Sequence, residues 1–164
     1  MKANGKPERT DTGINAEASA SMPFGANVAF KTSATTDKDS VLPAATTAKL
    51  KGFVAFGNDY ARTFTTLSGT TVGELDTVGL KPGTFFMVIE AGEYWVVCED
   101  GCAAGDRLFV RISGGTLGAA RASDAGGSSC IDATSCGKWL TPASAGAVAK
   151  LQFDFLPKTT AGAA

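Results

Sequence analysis

Cys98, Cys102, Cys130 and Cys136 have the widest chemical range of any residues in this chain. Three residues separate the first two and five separate the second two. A structural zinc site draws on cysteine pairs two to four residues apart. The first pair meets that spacing and the second departs from it. Disulfides are an alternative, either Cys98–Cys102 with Cys130–Cys136 or cross-pairs between the two loops, and the spacing leaves all three connectivities open. Disulfides make sense only for a protein whose mature form lives outside the reducing cytosol. Free, partly buried thiols are the third reading.

The remaining chemistry is sparse. The chain contains no histidine. That removes the commonest general base near neutral pH and the commonest metal ligand, and with them any Ser-His or Cys-His nucleophile pair within one chain. Glu99, Asp100 and Asp106 crowd one turn. Such a cluster could hold Ca²⁺, but the loop matches no standard calcium spacing, and solvated turn residues are the plainer reading. Paired carboxylates also serve glycosidases, yet nothing in the sequence sets two of them across a cleft. The stretch SGGTLGAARASDAGG is glycine-rich but lacks the Gly-Lys-Ser/Thr ending and following helix of a phosphate loop. These residues predict no enzyme, no metal and no cofactor.

Composition narrows the partners. The net charge is −1 with no block of like charge, so the basic footprint that nucleic-acid binding needs is missing. No apolar run reaches the roughly 18–20 residues of a membrane span. The N-terminal MKANGKPERTDTG lacks the apolar stretch of a secretory signal, which predicts a protein made in the cytoplasm and not exported by that route.

The elements that must carry these residues read as strands. Hydrophobic residues make up 44% and charged residues 19% of 164 residues, enough for one folded core. Glycine, threonine and serine suit short strands and many turns. Residues 1–22 have few large apolar groups and read as an extended N-terminal arm, either a disordered tail or a segment that a partner orders. Residues 23–156 read as the β-rich domain and 157–164 as a mobile tail. PFGANVAFKT and LKGFVAFG are strands, with Gly52 and Gly57 marking a close approach and a stop. FFMVIE and EYWVVCE read as a hairpin through Ala91-Gly92. RLFVRIS puts Leu108, Val110 and Ile112 inward. VAKLQFDFL puts Ala149, Leu151, Phe153 and Phe155 on one face and Lys150, Gln152 and Asp154 on the other. Residues 123–138 read as a loop. The fold expected is all-β: a small antiparallel barrel or sandwich of about seven to nine short strands.

The candidate interface residues are Ile14, Met22 and Phe24 near the arm, Tyr60 and Phe64 in the long polar stretch after Gly57, and Arg107, Phe109 and Arg111 on the outer side of RLFVRIS. Interfaces enrich aromatic residues and arginine. Tyr94 and Trp95 lie on opposite faces of one strand, one toward the core and the other available to a partner.

In order and spacing these elements resemble the capsid decoration, or cement, proteins of tailed bacteriophages. The features that carry the resemblance are Leu42-Pro43, Lys51-Gly52-Phe53-Val54, Gly92, Ala104-Gly105-Asp106 ahead of Leu108–Arg111, and Ser144-Ala145-Gly146 before the last strand. The four cysteines, the long 58–84 segment and the N-terminal arm depart from that pattern. The resemblance implies a β-rich homotrimer on the outer surface of the capsid. There it would bind the major capsid protein, tie neighbouring capsomers together and perform no catalysis. Another virion surface module, such as a fibre base or carbohydrate-binding domain, is the alternative.

Overall fold

The computed structural model describes residues 6–19, 22–32, 36–55 and 79–155. The strands are β1 (Lys6–Asn15), β2 (Met22–Pro23), β3 (Asn27–Phe30), β4 (Asp39–Val41), β5 (Leu50–Val54), β6 (Gly79–Leu80), β7 (Phe85–Val97), β8 (Phe109–Arg111), β9 (Ala120–Arg121), β10 (Cys130–Asp132), β11 (Gly137–Trp139) and β12 (Val148–Asp154). The fold is all-β. It has more strands than periodicity alone suggests, because β2, β6 and β9 are only two residues long and too short to show alternation.

A seven-stranded sheet runs β1-β4-β3-β5-β7-β12-β11, and β1 also pairs with β7. That extra pairing closes β1, β4, β3, β5 and β7 into a small barrel, while β12 and β11 extend the sheet beyond it. The β1–β4 ladder is parallel; β7 pairs antiparallel with β1, β5 and β12. A three-stranded sheet, β10-β8-β9, and the β2-β6 pair complete the architecture.

Two apolar clusters hold these layers. Met22, Val28, Val54, Leu80, Phe86 and Val88 form the smaller, which lies inside the barrel. A Cβ on Gly13 of β1 would stand 2.7 Å from Phe86 and 2.8 Å from Val88, so this strand closes tightly over the cluster. The larger cluster joins Phe53, Ile89, Val96, Leu108, Val110, Trp139, Leu151, Phe153 and their neighbours. Each fully buried side chain of this size contributes about 1.5–3 kcal/mol. Phe53 meets Phe153 edge-on at 4.9 Å and Phe155 at 5.6 Å. The alternation expected for the last strand holds: Ala149, Leu151, Phe153 and Phe155 are buried. So are Leu108, Val110 and Ile112. At Gly52 a Cβ would lie 2.3 Å from the carbonyl oxygen of Ile89, which is the close approach expected there; Gly57 lies outside the described residues.

Three expectations need correcting. First, FFMVIE and EYWVVCE are not a hairpin but one thirteen-residue strand, β7. Ala-Gly is not a tight-turn dipeptide such as Asn-Gly, and Gly92, at φ 130°, serves another purpose. Ile89 faces the larger cluster before it and Val96 faces the same cluster after it. The strand therefore changes alternation phase around Gly92, where the β1 register also shifts. Second, residues 6–15 of the expected arm form β1, paired along β7 from Lys6–Glu93 to Ile14–Phe85. Backbone pairing and charge, not apolar burial, hold it. Arg9 contacts Glu90 at 3.0 Å and Asp154 at 3.2 Å, and Asp11 contacts Lys38 at 2.6 Å and Lys51 at 3.3 Å. Third, the stretch 123–138, read as a loop, contains β10 and the start of β11.

Candidate interaction surface

β7 carries four of the six exposed large apolar side chains among the described residues: Phe85 (63%), Met87 (51%), Trp95 (37%) and Val97 (53%). Val148, directly opposite Val97 on β12, is also exposed. The phase change around Gly92 gives these residues their placement. Phe85 and Met87 share the parity of Ile89, which faces the larger cluster, but lie beyond its edge. Trp95 and Val97 alternate with Val96, which faces that cluster, so they point away from it. The two apolar rows therefore leave opposite faces of the same strand. Trp95 lies eight positions beyond Met87, about 26 Å at a rise of ~3.3 Å per residue.

The first row continues onto β1, where half-buried Ile14 sits opposite Phe85. The second continues toward Phe24, which lines a small depression together with Val97, Ala119 and Gly146. On the barrel side, Phe30 stands between two shallow grooves of about 630 and 540 Å³, with Lys49 and Ala48 in both.

The sequence-derived candidates divide. Ile14 and Phe24 border the apolar rows. Met22 does not: it is fully buried in the barrel cluster, because the β2–β6 pairing draws it inward opposite Leu80. Tyr60 and Phe64 lie outside the described residues. Arg107 is exposed and Phe109 half-buried. Arg111 is engaged within the fold: its Nε donates to Glu99 at 2.6 Å, and its Nη1 donates to the carbonyls of Ser113 and Gly114. Of the aromatic pair on β7, Tyr94 packs on the core and Trp95 faces out. Phe85 and Met87 were missed, because a continuous apolar run reads as a strand buried on both faces. The period-two pairing of Phe85 and Met87 against Phe86 and Val88 was the available signal.

The crowded acidic turn is neutralised from within. Glu99 accepts from both Arg111 and Arg121, and Arg121 reaches Asp100 at 3.3 Å. Burial alone would raise the Asp100 carboxyl, but the Ser123 hydroxyl, the amides of Ala122 and Ser123 and the Arg121 charge outweigh it and hold it below its ordinary value. Asp106 accepts the amide of Ala103 at 2.7 Å. Among the described residues, no three metal-ligating side chains converge. All four cysteines are free thiols, Cys98 and Cys130 buried, Cys102 and Cys136 partly so.

A protein that presents apolar rows on sheet faces, with its charged turn paired internally, belongs to the class that binds other proteins through broad surfaces. Residues 1–154 match the phage structural cement protein family (E217 gp24/Pam3 gp6). Two solved structures share the fold: a chain of the capsid of Myoviridae phage XM1, 16% identical with a TM-score of 0.60 over 92% of this chain and 86% of that one, and the head fiber gp8.5 N base of bacteriophage phi29, 14% identical with a TM-score of 0.51 over 90% and 94%. No curated protein sequence matches. The chain belongs to the structural cement protein family. It is a virion component that stabilises the phage capsid.

Proposed function

We propose that the protein binds the outer surface of the assembled capsid through the major capsid protein, bridges neighbouring capsomers as a homotrimer, and catalyses no reaction. The observation that supports bridging is the pair of apolar rows on opposite faces of β7 and its neighbours. One molecule then offers two contact patches set apart along one rigid strand. A ligand that binds only the assembled shell stabilises it by mass action, and many copies of weak affinity suffice.

The test is shell binding by two variants, F85S/M87S and W95S/V97S, with native folding checked by thermal melting. Bridging through both rows predicts that each variant loses about tenfold or more in apparent affinity for expanded shells and no longer raises the temperature at which they rupture. Undiminished binding by either variant overturns the two-row reading. Sedimentation of the free protein and of protein released from shells reports the trimer.

The fold shared with a head fiber base supports a second reading, a fibre-anchoring virion module. Copy number separates the two: hundreds per particle for cement, a handful for a fibre base.

A further inference from the structure

Cys98 and Cys102 flank the acidic turn, and both are tied to the same facing loop. The Cys98 amide donates to the carbonyl of Ala147 and its carbonyl accepts from Gly146. Cys102 exchanges both backbone bonds with Ala143. Gly101 turns the chain between them at φ +83°, packed against Ala145. The loop 143–147, turned by the Ala147 amide donating to the Ser144 carbonyl, thus holds both cysteines from one side; the Cys98 thiol donates to Asp100 Oδ1 at 3.6 Å and the Cys102 thiol to the Thr141 carbonyl at 3.5 Å. Two cysteines that flank a three-residue turn and are pinned to one facing turn are brought near each other by the backbone, and both anchors are in place before the bond forms.

We propose that Cys98 and Cys102 are an oxidation site that closes into an intramolecular disulfide by exchange with a low-molecular-weight disulfide. Cys102, the more accessible of the two, attacks as thiolate. Its sulfur bonds to one sulfur of the reagent and the other leaves as a thiolate, which takes up a proton. Cys98 then gives up its proton and attacks the Cys102 sulfur, expelling the second reagent thiol. Two protein thiols are oxidised and one reagent disulfide is reduced to two thiols. The order of attack follows from environment: burial, with Cys102 and Asp100 adding to it, pushes the Cys98 thiol up to about 12, so it is a poor first nucleophile at neutral pH and becomes the resolving group once Cys102 carries a leaving group. The closed ring would fasten the turn whose Glu99 and Asp100 hold Arg111 and Arg121. It would form when a protein folded in a reducing compartment passes into an oxidising one.

The test exposes the purified full-length protein to oxidised glutathione, quenches with acid, alkylates under denaturation and maps peptides by mass spectrometry. The expected result is a loss of two hydrogens with a Cys98–Cys102 cross-link, while Cys130 and Cys136 remain alkylated. The C130S/C136S variant should behave identically, and C98S should stop at glutathione mixed on Cys102. Oxidation should raise the melting temperature by about 5 °C in the parent and leave C98S and C102S unchanged. Three outcomes overturn the proposal: a cross-link joining other cysteines, a mixed disulfide on Cys102 that persists in the parent, or alkylation of Cys98 undiminished after oxidation.

Discussion

Lys51 shows how this fold handles a charge it cannot expose. Its side chain is 1% exposed, its ammonium donates to the carbonyl of Asp37 at 3.1 Å, lies 5.4 Å from the Phe30 ring centre and faces Asp11 at 3.3 Å. Removing one member of a buried pair costs more than replacing the charge with an apolar chain. Asp11→Ala is therefore expected to destabilise by about 2–4 kcal/mol, the lower end reflecting the water that still reaches Asp11. Lys51→Met in the Asp11→Ala background should recover much of that loss. Denaturant unfolding of the three proteins checks this, and a double variant no more stable than Asp11→Ala would contradict it. The same carboxylates set the acid limit. Burial would raise Asp11, but hydrogen bonds from Lys38, the Thr12 backbone and Lys51 hold it below its ordinary 3.8, and Asp100 is likewise held down. Their contribution to stability is complete above pH 3.8 and is lost as pH falls through the lowered values. A melting temperature level from neutral pH to about 5 and falling below about 4 is expected, with a shallower acid limb in Asp100→Asn.

At the scale of elements, what could be read from the sequence depended on whether a strand keeps one face buried throughout. β12 was legible because every second residue from Ala149 to Phe155 is apolar and buried. The inward set around β8 was legible for the same reason. β7 was not, because its buried parity changes around Gly92 and an all-apolar run hides the change. β1 was not, because its partners are backbone groups and charges whose other halves, Glu90, Asp154, Lys38 and Lys51, lie far away in the chain. Of the surface, only Ile14, Phe24 and Trp95 could be approached from residue type; Met22 was misplaced because a two-residue pairing leaves no pattern. The consequence for β1 is measurable. Deleting residues 1–15 opens the barrel, uncovers Phe86 and Val88 and leaves Lys51 without Asp11. A loss of about 3–5 kcal/mol, or roughly 6–20 °C in melting temperature, is expected. A truncated protein that melts like the parent would show that β1 is an appendage and not a stave of the barrel.

For the whole molecule, membership of the cement family and the placement of the apolar rows point the same way. The described residues hold several of their strong charges in internal pairs: Glu99 with two arginines, Arg9 with Glu90 and Asp154, Lys150 with Glu93. On opposite faces of β7 they expose apolar surface. Such a protein gains little from long-range electrostatic steering. Its capture by shells should therefore depend only weakly on ionic strength. Binding isotherms between low and near-molar salt check this, and an affinity falling by a hundredfold or more would shift the contact onto charged residues.

The closing of the barrel by its first strand also has a consequence in time. β1 leaves the ribosome before its partner β7, which follows on the order of eighty residues later. At roughly 5–20 residues per second, synthesis leaves β1 without that partner for about 4–16 s. No shorter nascent chain can complete the barrel, and pairing across so long a span is intrinsically slow. Subunits become competent for the shell only after β7 has been made.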